Sequence, residues 1–253
     1  MSSTNPPIPD TRPRILCLHG GGVTGEVFHA QSRALIKSLS SLRLVFADGP
    51  FFCDPGPGIV PVYQDHGPFR RWLRWLPEHA PIDDDSAVSE IAYAIDRCKG
   101  DDEGTGDWVG LMGFSQGAKL AASLLYEQQV RAERGLAAET EYKFAVLLAG
   151  RHPLVSLSDL SRSPALVNPG QLSEGFDYPG ESEHVLRLPT IHVHGLSDAG
   201  LHLHRRLRDQ YCDAAAVTLV EWDGAHRVPL KKTDVDRICE QIYRVAREQG
   251  VKC

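Results

Sequence analysis

The chain has 253 residues, and 42% of them are hydrophobic, which suits a folded protein with a sizeable core. Its net charge of −6, from 33 acidic and 27 basic residues, argues against nucleic-acid binding and against attraction to an anionic membrane. The sequence contains no run of about 18 apolar residues and no apolar core of a secretion signal near its start. The six cysteines are scattered and are interpreted as reduced thiols, so we expect a cytoplasmic protein.

Short apolar runs alternate with helical patterns along the chain. Residues 1–12 are rich in Pro, Ser and Thr and are predicted to be disordered, and 13–253 are predicted to form one domain. Strands are predicted within RILCLHGGG, LRLVFADGP, WVGLMGFSQG, YKFAVLLAG, TIHVHG and VTLVEW. Helices are predicted over about 27–39, 86–98, 118–134 and 233–248, with Ser86 as the N-cap of the second.

This alternation predicts a single α/β domain with a mostly parallel six-stranded sheet and helices on both faces. Two long irregular insertions interrupt the pattern, at about 51–82 and 151–188. Loops of that length inside a compact domain are usually functional. Both follow the carboxyl end of a strand, the edge where open α/β sheets bind ligands, so we expect them to act as loops or lids over a site.

Residues 113–117 read Gly-Phe-Ser-Gln-Gly and fit the pattern G-x-S-x-G. The motif follows a predicted strand and opens a predicted helix, the setting in which a strained turn exposes a serine hydroxyl above the sheet. Free N–H groups at the start of that helix favour any anion that forms there. We therefore interpret Ser115 as a nucleophile, the alternative being a serine that merely caps a helix.

A serine hydroxyl needs a base, and the base needs an acid that orients it. With this type of nucleophile turn the chain order is Ser, then Asp or Glu, then His. Asp198 and His226 each follow a predicted strand, at the same sheet edge as the serine. Asp177 and Asp223 compete for the role of the acid, and His152 is a weaker alternative for the base.

His19-Gly20-Gly21-Gly22 follows the first predicted strand. A turn of this kind can lend a backbone N–H to an oxyanion hole, with the second N–H coming from the residue after the nucleophile, Gln116. Gly21 is the favoured donor and Gly22 the next. We expect His19 to hold the glycine loop through a hydrogen bond.

Four histidines suggest a possible zinc site, because His192 and His194, like His202 and His204, are two residues apart. Alternate residues of a strand share a face, so each pair could chelate. The first pair lies on a strand predicted to be buried, and no Cys or Glu stands at a familiar ligand spacing. We therefore predict no metal.

Aromatic residues are dense in the first insertion, and beside a nucleophile they favour an apolar acyl pocket. The candidate pocket residues are Phe51, Phe69, Trp72 and Trp75. Ordinary core filling beneath a long loop is the alternative for each of them.

Three arginines, Arg70, Arg71 and Arg74, interleave with these aromatics. In an acidic protein, a basic cluster beside the site could receive an anionic substrate or carrier. The alternative is a solvated face.

Together, RILCLHGGG, FADGPF, PGPG, GPFRRW, GFSQGA, HVHG-x-x-D and the late G-A-H resemble the fungal serine hydrolase (FSH-type) family, and within it the LovG-like esterases and thioesterases. The resemblance extends over about residues 14–247. It implies an α/β-hydrolase fold, a triad at Ser115, Asp198 and His226, and substrates such as polyketide thioesters on an acyl-carrier protein or related esters. The turn G-R-H-P-L after the fourth strand departs from the family's pattern.

We therefore predict a serine esterase or thioesterase that needs no cofactor. Its substrate would be an acyl thioester or ester, with the acyl-carrier domain of a polyketide synthase as a partner. A general carboxyl-ester or lactone hydrolase without a carrier is the first alternative. A non-catalytic ligand-binding protein of the same fold is the second.

Overall fold

The computed structural model describes residues 9–173, 175–178 and 185–253. The strands are β1 (Arg14–Leu18), β2 (Arg43–Ala47), β3 (Phe51–Phe52), β4 (Arg70–Arg71), β5 (Trp108–Phe114), β6 (Phe144–Leu148), β7 (Thr190–Gly195) and β8 (Val217–Trp222). The helices are α1 (Gly25–Gln31), α2 (Arg33–Ser38), α3 (Asp84–Asp101), α4 (Gln116–Glu133), α5 (Leu201–Tyr211) and α6 (Lys232–Glu248).

Six of these strands form one sheet in the order β2-β1-β5-β6-β7-β8, and every neighbouring pair is parallel. The predicted α/β fold with a six-stranded sheet is therefore confirmed. The chain runs outward from β1 to β2 and then continues on the other side of β1 with β5. The order thus reverses between β1 and β5, and the carboxyl edge at such a reversal is where open α/β sheets bind ligands.

An apolar layer lies on each face of the sheet. Because alternate strand residues point to opposite faces, Leu16 packs in the layer that includes α4, whereas Ile15 packs in the layer that includes α6. The face of α6 that its periodicity predicts to be inward is buried, at Val235, Ile238, Ile242 and Val245. No helix among the described residues is both long and apolar enough to cross a membrane.

The predicted helices are shifted by a few residues at their ends, and two of them differ further, one in its N-cap and one by a break. The carboxylate of Asp83 accepts the amide of Ser86 at 2.9 Å, so Asp83 is the N-cap of α3. The prediction of Ser86 as the cap is wrong, because an aspartate three residues earlier caps equally well. The helix predicted over 27–39 is divided at Ser32 into α1 and α2.

Helix α5 was not predicted from the sequence. Leucine and histidine alternate over residues 201–204, and this period of two resembles a strand rather than a helix. The buried residues of α5 nevertheless follow a helical spacing, at His204, Leu207 and Tyr211. This helix forms part of the site described below.

Both predicted insertions leave the carboxyl edge of the sheet. The first, between β2 and α3, contains the antiparallel pair β3–β4 and a 3-10 turn at Gln64–His66. The described part of the second lies between β6 and β7, and an isolated bridge joins Val155 to Val167 within it. The two segments therefore flank the edge at which Ser115 lies.

The segment predicted to be disordered, 1–12, lies outside the described residues for its first eight positions. Beyond them, the carboxylate of Asp10 forms ion pairs with Arg12 at 2.6 Å and with Arg43 of β2 at 3.0 Å. Arg12 also donates to the carbonyl of Ser40 at 3.0 Å. Residues 10–12 are thus attached to the edge of the sheet.

Candidate active site

Ser115 lies at the turn between β5 and α4, with φ of 53° and ψ of −111°. A positive φ is strained for a residue with a side chain and is typical of a nucleophile elbow. Steric crowding requires glycine at both of these motif positions. A Cβ on Gly113 would lie 2.2 Å from the carbonyl oxygen of Gly117, and a Cβ on Gly117 would lie 2.0 Å from the carbonyl oxygen of Leu18. Since Ser115 is also the N-cap position of α4, free amides of the first helical turn lie beside it.

Asp198 and His226 form a hydrogen-bonded pair. Nδ1–H of His226 donates to Oδ2 of Asp198 at 2.6 Å, and the amide of Gly200 donates to Oδ1 at 2.7 Å. Burial by itself would raise the pKa of Asp198, but the hydrogen bonds from Gly200 and His226 outweigh it and lower that pKa. Asp198 therefore stays ionised and holds the tautomer in which Nε2 of His226 can accept a proton.

The rival residues have other surroundings. Asp177 forms an ion pair at 2.7 Å with an arginine of α5, and Asp223 is exposed. His152 is buried in the wall of the cavity that Ser115 also lines. Among the acidic residues that the structure describes, Asp198 is the one that hydrogen bonds to His226.

Ser115 and His226 line the same cavity, which has a volume of about 950 Å³. The rings of Phe114 and His226 lie 5.0 Å apart, which places the imidazole against the residue next to the nucleophile. The serine follows β5, Asp198 follows β7 and His226 follows β8. The parallel sheet thus brings three residues that are distant in sequence to one edge.

His19 holds the glycine loop, as predicted from the sequence. Its Nδ1–H donates to the carbonyl of Gly20 at 2.6 Å, and its Nε2 accepts the amide of Gly49 at 2.8 Å. Complete burial lowers the pKa of His19 to about 4, so the ring is neutral in this role.

In the glycine loop, the amides of Gly20 and Gly21 have no partner among the described residues, whereas that of Gly22 is engaged. Gly22 was predicted as the second choice of oxyanion donor, and this is wrong, because its amide donates to the carbonyl of Arg70 at 2.9 Å. The amide of Gly21 has no partner among the described residues, and both Gly21 and Gln116 line the cavity. A Cβ on Gly21 would lie 2.7 Å from the ring of Trp75, so only glycine fits there.

The side chain of Gln116 attaches the first insertion to the nucleophile turn. Its Oε1 accepts the amides of Trp72 at 2.7 Å and Leu73 at 3.0 Å, and its Nε2 donates to the carbonyl of Leu73 at 3.1 Å. From the sequence, Gln116 was expected to contribute only its backbone amide. Nothing local in the sequence indicates this contact, because its partners are more than 40 positions away.

The four predicted pocket aromatics occupy different places. Trp75 lines the cavity. Phe69 packs in a small apolar cluster, and Trp72 is completely buried in the main core, with its Nε1 donating to the carbonyl of His19 at 3.1 Å. Phe51 lies in β3 beneath an arginine. Of the four, Trp75 is the one in a position to touch a substrate.

The cavity has two walls of different chemistry. The insertion wall comes from the glycine loop and the first insertion, and we define it by Gly21, Ile59, Tyr63, Leu73, Trp75 and Leu76. The basic wall comes from the first turn of α4, the loop after β6, α5 and the second insertion, and we define it by Lys119, Arg151, His152, Asp177, Leu203 and Arg206.

The arginines of the first insertion are bound within the fold. The guanidinium of Arg70 lies 4.5 Å from the ring of Phe52, and Arg71 is 4% exposed. Arg74 donates to the carbonyls of His79 and Gly170 at 3.1 and 3.2 Å. The interpretation of these three residues as a basic docking cluster therefore loses its support.

The histidines considered for zinc do not assemble into one site. His192 and His194 lie on β7 with their rings 5.8 Å apart, whereas His202 is exposed on α5. His204 is buried, with its Nε2 3.6 Å from Oδ2 of Asp198.

Ligand atoms of Asp198, His204 and His226 do lie within 4.8 Å of one another, close enough to hold a metal. That set includes the Asp198–His226 pair, in which Nδ1 and Oδ2 are already joined by the 2.6 Å hydrogen bond. The rings instead form a row from the pair into the protein, because His194 lies 5.6 Å from His204, and His204 lies 6.1 Å from His226.

Comparison with known proteins identifies the family of the chain. A family model described as serine hydrolase (FSH1) matches residues 9–238. The chain belongs to the FSH1 serine hydrolase family. The resemblance stated from the sequence motifs is thereby confirmed.

Relatives in this family carry the name of esterase. The chain is 50% identical over 245 residues to esterase citA of Monascus ruber, and the match covers 94% of each chain. It is 52% identical over 252 residues to the probable esterase tazC of Aspergillus terreus, again over 94% of each. The FSH1-family protein described here is a serine esterase.

Solved structures confirm the fold. The carboxylesterase of Bacillus cereus matches with a TM-score of 0.53 at 17% identity, over 92% of this chain and 89% of that one. Acyl-protein thioesterase 2 of Zea mays matches with a TM-score of 0.50 at 17% identity, over 95% and 96%. At such low identity these matches show only that this FSH1-family chain has the α/β-hydrolase fold.

Proposed function

We propose that the protein hydrolyses acyl esters and thioesters through a triad of Ser115, His226 and Asp198. The observation that carries this proposal is the 2.6 Å hydrogen bond from His226 to the buried Asp198, in a cavity shared with a strained serine elbow. A catalytic serine requires a base held in one tautomer by an acid, and this pair supplies both.

In the first half of the reaction, Oγ of Ser115 attacks the acyl carbon while Nε2 of His226 takes its proton. The amides of Gln116 and Gly21 stabilise the negative charge on the carbonyl oxygen, a contribution of about 3 kcal/mol for one such donor. The tetrahedral species collapses with cleavage of the bond to the leaving oxygen or sulfur, which receives the proton from His226.

In the second half, His226 removes a proton from water, and the hydroxide attacks the acyl-serine. Collapse breaks the bond to Oγ, returns the proton to Ser115 and releases a carboxylic acid. Asp198 stabilises the imidazolium in both halves without itself accepting the proton. The balanced reaction needs only the ester and water.

The finer proposal is that the acyl chain arrives as a thioester of a polyketide carrier domain. Support comes from the resemblance of the motifs to fungal polyketide thioesterases and from a cavity of about 950 Å³, at the upper end for small-molecule sites and roomy enough for a long acyl chain. In this proposal the two insertions act as walls over the chain. A thiolate is a good leaving group and needs little acid assistance.

Hydrolysis of a free ester or lactone is the second candidate, and one observation favours it. Arg70, Arg71 and Arg74 were the expected attachment point for an acidic carrier, and the fold engages all three. A substrate without a carrier would need no such surface.

One comparison of substrates separates the two. The same acyl chain is presented on a phosphopantetheinyl carrier protein, on N-acetylcysteamine and on p-nitrophenol, and kcat/KM is measured for each. If the carrier is a partner, its thioester should exceed the N-acetylcysteamine thioester by at least about a hundredfold, because docking adds binding energy. Equal values for the two thioesters would favour free esters, and no hydrolysis of any of the three would contradict esterase activity at this site.

A further inference from the structure

The basic wall contains a lysine that the proposed mechanism does not use. Lys119 lies one helical turn after Ser115, lines the cavity and is 5% exposed. A buried ammonium is costly without a counter-charge, and buried lysines are therefore normally paired. No described carboxylate forms an ion pair with Lys119. Burial lowers the pKa of Lys119 to about 7, and the positive charge of the nearby Arg151 contributes to the same shift.

The side chains of two neighbours of Lys119, Arg151 and His152, likewise show no hydrogen bond or ion pair to a residue that the structure describes. Nδ1 of His152, a residue that is 7% exposed, is buried and has no hydrogen-bond partner within the described ranges. The guanidinium of Arg151 lies over the start of α5, where a Cβ on Gly200 would be 2.9 Å from its Nη2. An ammonium, a guanidinium and an imidazole nitrogen are thus available along one stretch of wall.

The charges of the described residues that line the cavity also favour an anionic ligand. Five described lining residues are basic, at Arg33, Lys119, Arg151, Arg206 and Arg227, and one is acidic, Asp177. That acid is already engaged by Arg206 at 2.7 Å. In a chain with a net charge of −6, a cationic cavity is suited to an anionic ligand.

We propose that Lys119, Arg151 and His152 form a subsite for a carboxylate of the substrate, outside the ester bond that is cleaved. The inference rests on the proposed ester hydrolysis and deepens it. The substrates would then be esters or thioesters that carry a free carboxylate, such as monoesters of dicarboxylic acids. The carboxylate provides a counter-charge that no described residue supplies to Lys119, and it can accept hydrogen bonds from two of the three groups at once.

The test compares esters that differ only in charge. Mono-p-nitrophenyl glutarate and its methyl ester place the carboxylate, or its neutral equivalent, on the acyl side. 4-Acetoxybenzoate and its methyl ester place it on the leaving group. We expect the wild-type protein to prefer the carboxylate form of at least one pair by about tenfold or more in kcat/KM, and Lys119→Met to abolish that preference by lowering kcat/KM for the carboxylate ester far more than for the neutral one.

A matched control and a binding measurement complete the test. Lys99→Met makes the same substitution at a half-buried lysine by Trp108, at the opposite edge of the sheet, and should retain the preference. Calorimetry of glutarate binding to wild type and Lys119→Met does not depend on turnover, so a failure of hydrolysis counts against the proposed function alone.

The proposed subsite is contradicted if Lys119→Met still prefers the carboxylate ester. It is also contradicted if the wild-type protein shows no preference for the carboxylate ester and no binding of glutarate that depends on Lys119. Lys119→Met should fold, because it removes a buried charge. Its thermal midpoint provides the check.

Discussion

The two walls of the cavity are supported in different ways. Behind the insertion wall, Ile59 and Tyr63 pack on an apolar cluster with Val23 and Phe69. The basic wall contains the buried Lys119, and helix α5, which contributes Arg206 to this wall, also carries the buried His204 of the histidine row. Apolar burial stabilises the first wall, whereas the second retains groups whose burial is costly. Proteins accept such costs mainly at functional sites, which is consistent with the carboxylate subsite proposed on the basic wall.

The largest loss of activity is expected from a change in the Asp198–His226 pair, which serves substrates on either wall. Asp198→Asn should lower kcat by about 10⁴ for neutral and carboxylate esters alike, because the asparagine cannot hold the required His226 tautomer. Steady-state kinetics with one ester of each kind will measure the loss. Asp223→Asn serves as the exposed control and should retain most of its activity; a similar loss there would transfer the role of the acid.

On the insertion wall, Gly21→Ala should lower kcat by roughly 10²–10³, the effect of losing one oxyanion donor. The added Cβ would lie 2.7 Å from the ring of Trp75 and would displace the amide. Gly100→Ala, where a Cβ meets nothing within 4 Å, is the control. If Gly21→Ala keeps normal activity, the second oxyanion donor must lie elsewhere.

The buried histidines of β7, His192 and His194, should make the stability of the folded protein sensitive to pH. Burial lowers the pKa of His194 from its ordinary 6.5 to about 4 and that of His192 to about 3. Between pH 6.5 and pH 4, a histidine of the unfolded chain binds a proton that the folded protein excludes. The free energy of unfolding should therefore fall as pH drops below 6.5 toward 4. For one such histidine the loss between pH 7 and pH 5 is about 2 kcal/mol.

Urea unfolding of wild type and His194→Phe at pH 7 and pH 5 measures this contribution. The variant should show a smaller difference in unfolding free energy between the two pH values, by about 2 kcal/mol. An unchanged difference would mean that His194 is protonated in the folded protein or exposed to solvent.

The smallest effect is expected at the attachment of the insertion wall. Gln116→Leu leaves the amides of Trp72 and Leu73 without their acceptor, which should cost on the order of 1 kcal/mol for each unpaired amide and lower kcat/KM about tenfold. Gln128→Leu is a matched control, since Gln128 makes the same kind of contact with Tyr142 further along α4. It should lose similar stability while keeping its activity, and equal loss of activity in both would make the Gln116 contact merely structural.

Patterns in the sequence predicted the sheet and the residues at its carboxyl edge, because strand period and glycine turns are local signals and the chain order Ser, Asp, His is a general rule for this type of nucleophile turn. Ser115, Asp198 and His226 could therefore be named before the structure was known. Helix α5 was missed because the Leu–His alternation over 201–204 conceals its period. Contacts between residues more than 40 positions apart, such as Gln116 and Trp72, leave no local signal in the sequence. The same holds for Lys119 and Arg151, which the fold brings to one wall of the cavity.

The central claim is that Ser115 is an activated nucleophile, and covalent labelling tests it most directly. Incubation with a fluorophosphonate, followed by intact-mass measurement and peptide mapping, should give one adduct per chain on the peptide that contains Ser115. The adduct should be absent from Ser115→Ala, and it should form much more slowly in Asp198→Asn, where the base is no longer held in place. Labelling at another residue, or full esterase activity in a Ser115→Ala protein, would contradict the account.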